Sequence, residues 1–128
     1  MAPAPGVFGC TCLVASEGSA VVGTLDLYTP RKGRAAQGAP EGDLQSAYVS
    51  NVCVPVEQRR RGVATLLMKA AADVARGLGL RSVYVHVDAD NEQALALYGK
   101  LGLEETGEFS PGIGASTIGR RHLLRWAL

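Results

Sequence analysis

The sequence predicts a single α/β domain, of the α+β kind, built on a mixed and mostly antiparallel sheet, and three observations carry that prediction. Two apolar, β-branched runs, Val7 to Ala15 and Ala20 to Tyr28, flank the turn-rich Ser16-Glu17-Gly18-Ser19, the signature of an antiparallel hairpin. Strand, helix and strand patterns then follow between Ala47 and Val87, an order that calls for a right-handed crossover and one parallel strand pair. The length of 128 residues suits one domain over 1–128, and 47% hydrophobic against 20% charged residues is enough apolar material for a core.

After the hairpin, Thr29 to Asp43 concentrates Pro30, Gly33, Gly38, Pro40 and Gly42 with basic residues, which predicts a mobile surface loop. Ala47 to Val54 reads as a central strand that Pro55 ends by removing a backbone donor. Val63, Leu66, Leu67, Ala70, Ala71 and Val74 recur at helical spacing, with Gly77 or Gly79 as the left-handed cap. Arg81 to Val87 predicts a buried strand. Asn91 to Leu101 predicts a helix that buries Ala94, Leu95, Tyr98 and Leu101 and stops at Gly102. Two further strands, Leu103 to Phe109 and Thr117 to Ala127, enclose a small glycine-containing loop over Ser110 to Ser116.

Charge narrows the function. A net charge of +1, from 13 basic and 12 acidic residues, excludes the broad electrostatic footprint of a general nucleic-acid or membrane-surface binder. Cys10, Cys12 and Cys53 match neither a disulfide framework nor a CxxC metal pattern, which points to a reducing compartment and buried thiols. No stretch has the ~18–20 apolar residues of a membrane span, and Met1 to Gly6 lacks the basic and apolar regions of a secretory signal. A soluble intracellular protein is expected. His86 and His122 lie far apart without companion ligands, so no metal is expected.

The segment with chemical content runs from Val52 to Ala64: a strand end, then Arg59-Arg60-Arg61-Gly62, then a helix. The first N–H groups of a helix lack partners and face outward at the positive end of its dipole, which suits a phosphate. Gly62 and the small Ala64 keep the backbone approachable. A solvated arginine run and an ordinary glycine turn are the competing readings. The P-loop and GxGxxG patterns are both absent.

Here the sequence resembles the GNAT superfamily of acetyl-CoA-dependent N-acetyltransferases. Arg59 to Ala64 matches that family's Q/R-x-x-G-x-G/A motif, and Asn91, Ala94, Leu97, Tyr98, Lys100, Gly102 and Leu103 match its second element. The resemblance implies a sheet whose parallel strands splay at their C-terminal ends, with helices on both faces. It implies the pyrophosphate of acetyl-CoA on the amides of Arg60, Gly62 and Ala64, with Arg59, Arg61, Val63 and Thr65 alongside. The pantetheine arm would pair with Val52, Cys53 and Val54 and pass Asn91 and Ala94. The reaction implied is direct attack by a primary amine, with the Val52 N–H as oxyanion donor and Tyr98 as the acid for the departing thiolate.

Family members often carry a glutamate base where this sequence has His86. His86 suits a base at neutral pH and equally suits a structural histidine within the sheet. Asp88 and Asp90 could act through water or attract a cationic amine. Tyr98 also fits a core position, and Asn91 an N-cap. The strings Ala47 to Val54, Tyr84 to Val87 and Arg120 to Leu128 resemble the plastid-type branch, which includes protein N-terminal and lysine acetyltransferases and serotonin N-acetyltransferases. The acceptor is thus a peptide or a small arylalkylamine, the compartment a plastid or else the cytoplasm, and the assembly a monomer or homodimer. A non-catalytic acyl-CoA-binding module is the alternative, and nucleic-acid binding through Arg31 to Arg34 and Arg59 to Arg61 is weaker. Family members usually carry a strand and one or two helices before the hairpin, so the fold is expected to be shortened at its N-terminus, on the acceptor side.

Overall fold

The structure, a computed structural model, describes residues 9–111 and 120–128, with the backbone alone at 108–111. In chain order it comprises β1 (Cys10–Glu17), β2 (Ala20–Tyr28), β3 (Ser46–Cys53), a 3-10 turn (Val56–Gln58), α1 (Val63–Gly77), β4 (Ser82–Asp88), α2 (Glu92–Leu101), β5 (Glu104–Pro111) and β6 (Arg120–Ala127). Six strands form one sheet in the order β1-β2-β3-β4-β6-β5. Each neighbouring pair is antiparallel except β3 and β4, which α1 connects. Val7 and Phe8 of the expected hairpin, and 112–119 of the expected terminal loop and strand, lie outside the described residues.

Local chemistry accounts for the helix ends. Beyond α1, Gly79 adopts φ +78°, and the N–H groups of Gly79 and Leu80 bond the carbonyls of Arg76 (2.9 Å) and Ala75 (3.0 Å), a paired closure that needs a left-handed residue. Gly79 is therefore the capping glycine and Gly77 the last helical residue. Asn91 caps α2, its Oδ1 accepting the Ala94 N–H at 3.1 Å, and Gly102 at φ +99° ends that helix.

Alternation along the strands builds two cores. Leu25, Leu27, Ala47, Val49, Val83, Val85 and Val87 face one side, where Leu67, Met68, Ala71 and Ala75 of α1 and Tyr98 of α2 cover them. Truncating Leu67 or Met68 to alanine there should cost about 2–5 kcal/mol. Tyr48, Tyr84 and Leu123 face the other side with Ala36. This narrows the expectation of helices on both faces: α1 and α2 share one face, and residues of the 29–43 segment cover the other. That segment is not the free surface loop its composition predicts. Ala36 is buried, and Gly38 lies so close to Tyr48 that a Cβ would stand 2.4 Å from its ring. Small residues let the backbone pack flat on an aromatic face.

Candidate active site

The parallel pair is short. β3 and β4 pair from Ser46 with Ser82 to Val49 with Val85. Beyond that point Ser50 and Cys53 pair with Asp26 and Thr24 of β2, while His86, Val87 and Asp88 pair with Leu123, His122 and Arg121 of β6. The two strands have parted, and among the described residues the inner edge of β3 is left without a partner strand.

A bulge sharpens the parting. Two residues of β3, Asn51 and Val52, stand opposite Leu25 alone, Asn51 takes φ +53°, and its Nδ2 donates to Asp26 Oδ2 at 2.9 Å. The extra residue turns Val52 toward the helix-side core, which Val52 and Val54 join.

A cleft of about 390 Å³ fills the gap. Val52, Val85, Val87, Ala94 and Tyr98 line it from the helix side; Tyr48, Ser50, His86, Asp88 and Arg121 line it from the other, so it passes through the sheet. Asn91, Ala94 and Tyr98, at i, i+3 and i+7 of one helix face, reach it together. Tyr98 is 5% exposed, and burial pushes its phenol above the usual tyrosine range, so it enters any reaction protonated.

Across the cleft, Tyr48 Oη lies 2.6 Å from His86 Nδ1, with the rings edge-on at a centroid distance of 5.4 Å. Burial, and then the charge of Arg121, lower the His86 pKa from 6.5, so its imidazole is neutral at physiological pH. Burial raises the Tyr48 phenol against the opposing pull of Arg121 and His86. Among the described residues, the Nε of Arg121 is a buried donor without a hydrogen-bond partner.

A second feature stands at the start of α1. Arg60 takes φ +65° and Gly62 φ +77°, and no side chain caps the helix. The first intrahelical bond runs from Leu66 N–H to the Gly62 carbonyl at 2.9 Å, so the amides of Val63, Ala64 and Thr65 lack intrahelical acceptors. A Cβ on Gly62 would meet nothing within 4 Å; its conformation, not crowding, requires glycine, and the space beside it is open. Gly23 is the reverse case. A Cβ there would stand 2.7 Å from Val63 Cγ1, so this glycine seats the first turn of α1 on the sheet.

The arginines divide their work. Arg59 Nε donates to the Val54 carbonyl at 3.1 Å, and Arg61 binds Gln58 and pairs with Glu17 of β1, so both hold the turn in place. Arg60 is exposed.

Of the residues singled out from the sequence, Val52, His86, Asn91, Ala94 and Tyr98 meet in the cleft. Arg59, Arg60, Arg61, Gly62, Val63, Ala64 and Thr65 form the separate turn, with the Val63 side chain buried in the core, and Cys53 and Val54 lie on the chain between the two features. Asp90 is exposed in the turn before α2 and does not line the cleft; Asp88 does. Tyr48 and Arg121 are wall residues to which the sequence reading gave no role. The available signal was alternation: with Tyr48 opposite Tyr84 in a parallel register, His86 falls on the same face two residues on.

The family model described as acetyltransferase (GNAT) matches residues 5–103. The chain belongs to this family. Among GNAT relatives, it is 43% identical over 117 residues to GCN5-related N-acetyltransferase 7, chloroplastic, of Arabidopsis thaliana, a match covering 86% of this chain and 42% of that protein. The chain thus spans less than half the length of that relative. The fold is similar to the ribosomal-protein-alanine N-acetyltransferase of Brucella melitensis, with TM-score 0.76 and 22% identity over 94% of this chain and 70% of that one. It is also similar to the PaiA N-acetyltransferase of Thermoplasma acidophilum solved in complex with coenzyme A, with TM-score 0.69 and 13% identity over 94% and 62% of the two chains.

Proposed function

We propose that this chain is an N-acetyltransferase domain that takes acetyl-CoA from the helix side of the cleft and acetylates a primary amine entering from the other side. The observation that carries this reading is the parting of β3 and β4 beyond Val49 and Val85, at a cleft that Tyr98 also lines. A coenzyme A complex of a protein with the same fold supports it.

The residues present fit the cofactor. The amides of Gly62 to Thr65 and the positive end of α1 suit the pyrophosphate, and any side chain at Gly62 would intrude into the open space beside it. The unpartnered edge of β3 at Ser50 to Cys53 offers backbone groups to an amide-bearing arm. Acetyl-CoA supplies the thioester; the chain supplies position and proton transfer. Tyr98 donates its phenolic hydrogen bond toward the departing sulfur. A reference thiol has a pKa of about 8.5 and tyrosine about 10 or, with burial, more, so sharing the proton costs less than giving it up. The Val52 N–H is the donor for the developing oxyanion.

On the far side, Asp88 draws in an ammonium group and neutral His86 is the sink for its proton. Because the His86 pKa lies below 6.5, an α-amino group at about 7.7–8.0 surrenders its proton more readily than a lysine at about 10.4. A protein or peptide N-terminus is therefore the favoured acceptor. The chloroplastic relative supports a plastid location.

Replacing Tyr98 with phenylalanine should lower acetyl transfer about tenfold or more in a thiol-release assay while leaving acetyl-CoA affinity unchanged. Undiminished turnover would remove Tyr98 from the mechanism. Binding of acetyl-CoA without turnover on any amine would favour a non-catalytic module.

A further inference from the structure

We infer that Arg121 selects the acceptor: its guanidinium holds the carbonyl oxygen beside the reacting amine, so the site takes the free N-terminus of a peptide ahead of a side-chain or alkyl amine. The inference rests on the acetyl-transfer reading above and adds to it a residue on β6 that touches the acceptor next to its reacting nitrogen.

An unmet donor is the first observation. Arg121 lines the cleft from the acceptor side, and among the described residues its Nε is a buried donor without a hydrogen-bond partner. Leaving a buried donor unsatisfied costs free energy, and a ligand that meets it recovers that cost. A guanidinium offers N–H groups and no lone pair, so the group that completes it is an oxygen.

Placement is the second. Asp88 and Arg121 stand directly opposite one another in the β4–β6 register, and both line the cleft. Side chains so paired start from Cβ atoms roughly 4.5–5.5 Å apart on one face. Yet among the described residues no ion pair joins them. A carboxylate and a guanidinium, side by side and not engaged with each other, match a ligand that carries a positive nitrogen and an oxygen acceptor on adjacent carbons. The first residue of a peptide is such a ligand: its ammonium meets Asp88 and its carbonyl meets Arg121. A lysine side chain or an alkylamine meets Asp88 and leaves Arg121 without its oxygen.

The charges around the cleft agree. The Arg121 charge reaches Tyr48 on β3 and His86 on β4, where alone it would repel an incoming ammonium. Asp88 offsets that repulsion, and a carbonyl oxygen occupies the guanidinium itself. With the oxygen held at Arg121, the nitrogen stays on the side of Asp88 and His86. A site built to hydrogen-bond a substrate group rejects the analogue lacking it far more strongly than an apolar pocket rejects a missing methylene, because its own polar atoms are left unpaired.

Selectivity kinetics on the full chain test this. Arg121→Met removes the donors and keeps an apolar stem for packing. The acceptors are an alanine-led peptide without lysine, an N-terminally blocked peptide with one lysine, propylamine, and free alanine. Losing Arg121 also relieves His86 of a neighbouring charge, which changes turnover on every acceptor alike, so the ratio between acceptors is the deciding quantity. The ratio of kcat/KM for the alanine-led peptide to that for propylamine or the lysine peptide should fall about tenfold or more in Arg121→Met. Arg121→Gln, which keeps an N–H donor, should recover part of that loss. An unchanged ratio, or an equal fall on every acceptor, overturns the inference alone. Where wild type uses the free N-terminus and nothing else, kcat/KM for that peptide decides: a loss of about tenfold at unchanged acetyl-CoA affinity supports the inference, and a wild-type value overturns it. Alanine used ahead of the peptide would move the oxygen to a free carboxylate and overturn the peptide assignment. Wild-type protein that binds acetyl-CoA but acetylates no amine overturns the acetyl-transfer reading and this inference with it.

Discussion

Gly38→Ala tests the acceptor half from outside the cleft. The added methyl would stand 2.4, 2.5 and 2.6 Å from Cε2, Cδ2 and Cζ of Tyr48, where carbon contacts are optimal at about 3.5–4.0 Å. Ring or loop must yield by about 1 Å. Gly38 also sits at φ +90°, which costs a side chain roughly 1–2 kcal/mol, and overpacking adds roughly 1–3 kcal/mol. The upper bound is about 5 kcal/mol, reduced as the 29–43 segment shifts outward. A Tyr48 hydroxyl displaced by about 1 Å leaves hydrogen-bonding range of His86 Nδ1, now 2.6 Å away. Misplacement on that scale costs catalysis on the order of 100-fold. Steady-state kinetics, thermal melting and acetyl-CoA calorimetry on the variant read all three consequences. The expected result is a lowered melting temperature, a kcat reduced between about tenfold and 100-fold, and an acetyl-CoA affinity within about twofold of wild type, because Gly38 packs on the face opposite α1. A folded variant with normal kcat would refute the reasoning, as would one whose acetyl-CoA affinity falls in step with its activity.

Gly62→Val should raise the acetyl-CoA dissociation constant about tenfold or more by calorimetry while costing roughly 1–2 kcal/mol of stability from its φ of +77°; unchanged affinity would dismiss the amide cradle. Activity should fall as pH drops below 6.5, with a midpoint below that value, and His86→Gln should flatten this limb. Stability should follow the same sign. The unfolded chain protonates His86 more readily than the folded chain does, so its contribution is complete above about pH 6.5 and declines as pH falls toward the lowered folded value. Denaturant melts of wild type and His86→Gln across that window check it.

What could be read from the sequence was what local chemistry decides. The helical spacing of α1, the glycine caps, the Asn91 cap and the crossover between β3 and β4 depend on neighbours in the chain, and each stands in the structure, although Leu66 and Ala70, expected on the buried face of α1, are exposed. Insertion of β6 between β4 and β5 was not visible, because its register with β4 is set across the fold. The same holds for Tyr48 with His86, a contact spanning 38 residues, and for Arg121, which reaches the cleft only through that register. Composition misled at two places. The glycines and prolines of 29–43 suggested a loose loop, yet the small residues let it pack on Tyr48. The unpaired cysteines suggested buried thiols, yet Cys12 and Cys53 are exposed and Cys10 is only partly buried.

The most direct test of the central claim follows an isotope-labelled acetyl group from acetyl-CoA to an amine. Full-length protein, acetyl-CoA labelled in the acetyl group, and a peptide with a free N-terminus and one lysine are incubated together, and mass spectrometry locates the label. Label on the peptide's α-amino group, dependent on the protein and lost in Tyr98→Phe, is the predicted result. Acetyl-CoA bound by the protein with no label on either amine would contradict it.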